Sequence, residues 1–225
     1  MTVASRTRVK ICGLTRPVDV QAVIQAGADA VGLVFYPASR RCVSLAQAAA
    51  LRSQVPAFMS VVALFVNPQP EDVRQVLDAV HPDLLQFHGE ESVAFCEQFG
   101  VRYLKAFRVG APGLDSAASL AAACARYPDA SGWLFDSYSP AYGGSGHRLD
   151  AELLSQLPRG GGVPALILSG GLTVDGVGAD MAARQPFAVD VSSGVESAPG
   201  IKDPAKIQAF MQAVQAADRR RCGLN

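Results

Sequence analysis

Two side chains in this sequence stand where an apolar run stops. Cys12 closes the run in "VKICGLT", and Asp136 closes the one in "GWLFDS". An aspartate at the end of an oily segment is costly to bury unless it is paired or used, which makes Asp136 a candidate for chemistry. A cysteine in such a place is often plain core filling. Its alternative is a thiol aimed at a ligand. With an unperturbed pKa near about 8.5, a modest stabilisation of the thiolate makes it a base at neutral pH. A thiol and a carboxyl facing one mouth from nearly opposite sides would serve acid–base chemistry. The other residues that end or follow apolar runs are Arg40 and Arg41, Asn67, His88, Arg108, the pair Gly170 and Gly171, and Ser192, Ser193 and Gly194.

The last two groups describe a ligand. "LSGGL" and "VSSGVE" are small turns in which glycine lets backbone N–H groups converge, and a helix start adds partial positive charge. Two such turns in succession suit a phosphate; the competing reading is that the glycines only serve tight turns. The three histidines, His81, His88 and His147, lack ligand spacing and the carboxylates do not cluster, so neither a metal nor a cofactor is expected. No G-x-x-x-x-G-K-[ST] or G-x-S-x-G occurs.

The elements that must position these groups alternate between two textures. Runs rich in Val, Ile, Leu and Phe fall at 9–14, 30–35, 60–66, 84–88, 102–109, 132–137, 164–171 and 188–194. Several are apolar at consecutive positions, as strands covered on both faces are. Helix-like stretches lie between them: "RPVDVQAVIQAGA", with Pro17 near its start and Gly27 near its end, "SLAQAAALRSQ", opening on Ser44, "NPQPEDVRQVLDAV", "EESVAFCEQFG", "SAASLAAACARY", "LDAELLSQL", "TVDGVGADMAARQ" and "DPAKIQAFMQAVQAA". Eight strand-then-helix units with no hairpin signal predict one α/β domain over 1–225, a (β/α)8 TIM barrel whose barrel proper covers about 9–217. Residues 218–225, "DRRRCGLN", read as a frayed tail whose arginines are a solvated helix end. A doubly wound open sheet is the alternative, but "CGLTRP" after the first strand is not G-x-G-x-x-G.

Composition narrows the class further. The chain has 225 residues, 49% hydrophobic and 18% charged, with 20 Lys+Arg against 20 Asp+Glu, a formal net charge of +0. That balance argues against a nucleic-acid partner. Five cysteines with no C-x-x-C spacing suggest reduced thiols and no disulfide framework. "MTVASRTR" lacks a signal peptide's apolar run and no segment reaches membrane-spanning length, so a cytoplasmic location and no membrane partner are expected. The partner expected is a small phosphorylated substrate; monomer and homodimer both stay open.

Taken in order, "KICGLT", "GADAVGLVFYPASRRCV", "LFVN", "LLQFHGEE", "LFDS", "YGGSG", "LSGGL" and "FAVDVSSGVESAPGIKD" resemble the phosphoribosylanthranilate isomerases, from Val9 to about Ala216. The resemblance implies a cofactor-free Amadori rearrangement in tryptophan biosynthesis, from N-(5-phosphoribosyl)anthranilate to 1-(o-carboxyphenylamino)-1-deoxyribulose 5-phosphate. It implies Cys12 as general base, Asp136 as general acid and Arg41 as the holder of the anthranilate carboxylate, with Gly170, Gly171, Ser192, Ser193 and Gly194 around the phosphate. Arg40 is expected to face solvent. His88 either touches substrate or orders the mouth. Asp190 is expected to be a structural residue behind the site, steadying the phosphate turn, and "SPAYGGSGHRLD", 139–150, to form a loop over the site, with His147-Arg148 departing from commoner family versions. Two other readings are another phosphosugar barrel enzyme, such as a metal-dependent epimerase, and a binding module without chemistry.

Overall fold

The consecutive apolar runs pair side by side, all parallel, and close on themselves. The computed structural model describes residues 6–138, 152–158 and 160–223. Eight strands form the barrel: β1 (Arg8–Cys12), β2 (Ala30–Val34), β3 (Ser60–Phe65), β4 (Leu84–Phe87), β5 (Tyr103–Val109), β6 (Gly132–Ser137), β7 (Ala165–Leu168) and β8 (Ala188–Val191). Each is hydrogen-bonded to the next, and β8 returns to β1 with Ile11 opposite Val191. Closure leaves no unpaired barrel edge.

The helices are α1 (Pro17–Ala26), α2 (Leu45–Arg52), α3 (Pro70–Val80), α4 (Val93–Glu97), α5 (Ala117–Ala125), α6 (Val177–Arg184) and α7 (Pro204–Arg221). Their ends follow local chemistry. Pro17 opens α1 and Gly27 closes it in the left-handed region. The side chains of Ser44, Ser92 and Ser116 each accept a backbone N–H at the starts of α2, α4 and α5.

Three expectations need correction. "LDAELLSQL" was expected to be a helix, but its described part holds a single 3-10 turn, Glu152–Leu154. After β8 comes a small antiparallel hairpin, β9 (Glu196–Ala198) with β10 (Ile201–Lys202), where no strand-to-strand turn was expected. Gly200, with φ of 82°, turns it, and Pro199-Gly200 is a turn dipeptide that could have announced it. Third, α7 continues through Asp218 to Arg221 instead of fraying at 218. Asp218 is the reason: its carboxylate accepts the Thr7 backbone N–H at 2.7 Å and the Thr7 hydroxyl at 2.8 Å, stitching the last helix to the first strand. Arg219, Arg220 and Arg221 are exposed on its last turn. The expected loop at 139–150 lies outside the described residues.

Alternate strand residues divide between two cores. Val9, Ile11, Phe65, Phe87, Phe107 and Phe135 face outward into the layer between sheet and helices. Val62, Leu104, Ala106, Leu134, Ile167 and Ala188 fill the barrel's interior. Burying a side chain such as Leu134, which is 0% exposed, contributes about 1.5–3 kcal/mol. This oily plug closes the barrel from below, so polar side chains farther along the same strands gather at the C-terminal end.

Candidate active site

The period of two along a strand sets the architecture of the mouth. A residue two positions before an inward-facing one lies directly beneath it. Lys10 therefore sits under Cys12, Gln86 under His88, and Asp190 under Ser192. The upper row borders a cavity of about 720 Å³, counting its open mouth, and Gln86 and Asp190 reach its wall from below.

The thiol rests on a bare backbone. Cys12 pairs with Gly32 across β1 and β2, and a Cβ on Gly32 would come within 2.7 Å of the sulfur and 3.1 Å of Lys10 Cε. Burial pushes the Cys12 thiol above its ordinary value, opposed first by the charge of Lys10. The resting side chain is thus a thiol more firmly than the sequence suggested. Lys10 is itself buried, with Nζ 2.9 Å from Asp190 Oδ1. Burial alone would lower the ammonium's pKa, but Asp190 and Cys12 more than offset this and raise it. Asp190 therefore anchors Lys10 from β8.

Beside the thiol, Arg41 is held by a partner on the unforeseen hairpin. Its Nε donates to Glu196 Oε1 at 2.8 Å and its Nη2 to Glu196 Oε2 at 2.7 Å, a two-point pair. Lys202, 1% exposed, donates to Glu196 Oε1 at 2.8 Å and to the Ser192 carbonyl at 3.1 Å. Ser192 Oγ in turn donates to the Cys12 carbonyl at 2.9 Å. Burial would raise the Glu196 carboxyl, but Arg41 and Lys202 hold it below the usual carboxylate range. Gly13, with φ of 78°, turns the chain after the thiol and leaves room for Arg41: a Cβ there would collide with the Arg41 side chain. A strand that ends Cys-Gly is thereby explained.

Across the mouth, His88 Nε2 lies 3.1 Å from Asp136 Oδ2, and its Nδ1 lies 3.1 Å from Gln86 Nε2. An amide N–H aimed at Nδ1 leaves the ring's proton on Nε2, where it points at the carboxylate. Gln86 Oε1 is buried and has no partner among the described residues. Gly170, φ 76°, brings the turn after β7 against Asp136, since a Cβ would strike the Ser137 N–H and approach Asp136 Oδ1 to 2.6 Å. One of the two glycines thus serves close packing around the carboxylate. Gly171 is also left-handed at φ 65°. In the turn after β8, a Cβ on Gly194 would collide with the Leu172 carbonyl, so the two turns press together.

The cavity brings together Cys12, Arg41, His88, Asp136, Gly170, Gly171, Ser192, Ser193 and Gly194. Asn67 and Arg108 stand elsewhere. Asn67, left-handed at φ 47°, accepts the Glu90 N–H at 2.7 Å and orders the turn after β4, while Arg108 lies over the Tyr138 ring, 4.8 Å from its centre. Arg40 is exposed, as expected. Sequence reasoning missed Lys10, Gln86, Glu196 and Lys202. The signal for the first two was available: a polar residue two positions before a candidate, inside an apolar run. Among the described residues no three His, Cys, Asp or Glu side chains converge as a metal would require. None of the described helices is long and apolar enough to cross a membrane.

Comparison with known proteins bears on this geometry. Residues 9–213 match the family model described as N-(5'phosphoribosyl)anthranilate (PRA) isomerase. A curated N-(5'-phosphoribosyl)anthranilate isomerase from Bordetella petrii is 59% identical over 219 residues, covering 97% of this chain and 100% of the relative. The crystal structure of phosphoribosyl anthranilate isomerase from Thermotoga maritima superposes with a TM-score of 0.83 at 37% identity, covering 93% of this chain and 99% of the other. A phosphoribosyl anthranilate isomerase solved in complex with reduced 1-(o-carboxyphenylamino)-1-deoxyribulose 5-phosphate superposes with a TM-score of 0.79 at 34% identity, with 93% and 99% covered.

Proposed function

The chain belongs to the N-(5'-phosphoribosyl)anthranilate isomerase family, and from that premise we propose that its barrel mouth performs the rearrangement with Cys12 as base and Asp136 as acid. It is an isomerase of the intramolecular oxidoreductase class, acting in tryptophan biosynthesis. The substrate is N-(5-phosphoribosyl)anthranilate. Its phosphate takes the paired turns at Gly170-Gly171 and Ser193-Gly194, and its anthranilate carboxylate takes the face of Arg41 that Glu196 leaves free.

The protons then have defined routes. The Asp136 carboxyl protonates the ring oxygen as the bond from that oxygen to C1 breaks, the bonding pair staying on oxygen. The nitrogen lone pair closes a C1=N iminium. Its positive charge acidifies the C2 proton and, inside the cavity, favours the thiolate of Cys12. The thiolate takes that proton, and the C2–H pair becomes a C1=C2 bond as the nitrogen recovers its lone pair. The enolamine becomes the ketone by gaining a proton at C1 and losing one from the C2 oxygen. The cycle closes when the thiol gives up a proton and Asp136 regains one. Each transfer is the kind of step that contributes roughly a hundred- to ten-thousandfold.

The observation that carries this reading is the convergence of one thiol, one carboxyl, one guanidinium and two pressed glycine turns on one cavity. The test follows the decay of substrate fluorescence after purified protein is added, with a metal chelator present. Decay under chelation is expected; no decay at all would remove the isomerase reading, and decay only without chelator would point to a metal enzyme.

A further inference from the structure

Beneath the cavity wall lies a buried cation that the proton routes do not use. Lys10 is 5% exposed, is two residues before Cys12 on the same inward face of β1, and shares with the sulfur the bare patch over Gly32. Its carboxylate partner, Asp190, approaches from β8 on its other side. We propose that Lys10 is the positioning residue of the thiolate: its ammonium, tethered by Asp190 under the sulfur, supplies the opposite charge that the buried Cys12 anion needs. The proposal rests on Cys12 acting as the base.

The physical case is one of supply. An anionic sulfur only 6% exposed needs a counter-charge at close range, because water screens it poorly. The charged and titratable groups around it are Lys10 on β1, Asp190 on β8, Arg41 after β2, and Lys202 and Glu196 on the hairpin, with His88 and Asp136 across the cavity. Arg41 gives two of its donors to Glu196, and Lys202 is bonded to the same carboxylate. Lys10 lies against the same Gly32 backbone as the sulfur, and of these cations it is the first to oppose the effect of burial on the thiol. Asp190 fixes the ammonium's position, with Nζ 2.9 Å from its Oδ1. A β1 side chain facing the same way with no charge, such as methionine, would leave the sulfur a plain buried thiol.

The test is the pH dependence of Cys12 alkylation by iodoacetamide, followed by peptide mapping so that the other four cysteines do not contribute. In Lys10→Met the midpoint should rise by at least about one pH unit, which is about tenfold less thiolate at neutral pH. Turnover at pH 7 should fall by a similar factor and recover as the pH is raised, with KM little changed. Because Lys10→Met strands the Asp190 charge, Lys10→Met/Asp190→Asn is measured beside it. That double change removes both buried charges together, which folds tolerate better than removing one, and it should raise the midpoint by less, because the Asp190 charge that opposes Lys10 at the thiol goes too. An unmoved midpoint in Lys10→Met, with the double variant folding cooperatively and its midpoint not above the native one, overturns the proposal and makes Lys10 a structural residue. The outcome is separable from the reaction assignment. Cys12→Ser without activity together with an unmoved midpoint rejects only the role of Lys10, whereas an active Cys12→Ser rejects the base assignment on which that role depends.

Discussion

The two walls of the cavity are built from different materials. The wall carrying the thiol is ionic: Lys10 with Asp190, and Arg41 and Lys202 with Glu196, all buried or nearly so. The wall carrying the carboxyl is held by hydrogen bonds through a histidine and an amide, Asp136 to His88 to Gln86. The contrast follows the work proposed for each. A base that must become an anion needs fixed opposite charge nearby, and ion pairs supply a field that does not reorganise during reaction.

The comparison can be broken in several places. The largest expected effect is on the ionic wall. Glu196→Ala leaves Arg41 and Lys202 facing each other without a counter-charge, and should destabilise the fold by about 3–5 kcal/mol in urea unfolding. The same carboxylate gives that wall an acid signature. Its folded-state pKa lies below the ordinary 4.5, so its stabilisation is complete above that value and is lost as the pH falls through the folded value. Urea midpoints measured from pH 7 down to pH 3 should decline more steeply in the native protein than in Glu196→Gln. Equal slopes would mean that the pair contributes nothing to folding.

Next in size are the two reacting groups. Cys12→Ser and Asp136→Asn should each lower kcat by at least about a hundredfold while substrate still binds, measured as turnover and as fluorescence quenching on binding. Near-normal turnover in either removes that assignment. Arg41→Ala should act on KM, raising it by roughly ten- to a hundredfold with kcat less affected, as loss of charged hydrogen bonds to a bound carboxylate predicts. A change confined to kcat would mean the guanidinium serves the reaction step instead. The smallest effect belongs to the hydrogen-bonded wall: His88→Asn should cost about 1 kcal/mol of stability, well short of Glu196→Ala. If the two substitutions cost the same, the walls do not differ as described.

The barrel was readable from sequence because each strand needs both faces covered, and a run such as "AVGLVF" shows that need locally. The candidate residues were readable because chemistry in this architecture collects where such runs stop. The supporting charges were not readable, for a geometric reason. Arg41 and Glu196 are 155 positions apart, and Lys10 and Asp190 are 180 apart, so their meaning exists only once β8 has closed against β1 and the hairpin has folded back over the mouth. Lys10 inside "VKIC" looks like an interruption until its partner arrives. The expected helix at "LDAELLSQL" failed differently: a favourable spacing of leucines in a short segment cannot say whether more than one turn will form.

The stitch between Thr7 and Asp218 has a consequence for how the molecule opens. The segments at either end of the barrel, 211 positions apart, share the same two hydrogen bonds, so neither β1 nor the final turns of α7 can peel away while the other stays docked. Unravelling from the ends is therefore one event, and deuterium should enter the amides of β1 and of the last turns of α7 at a common rate.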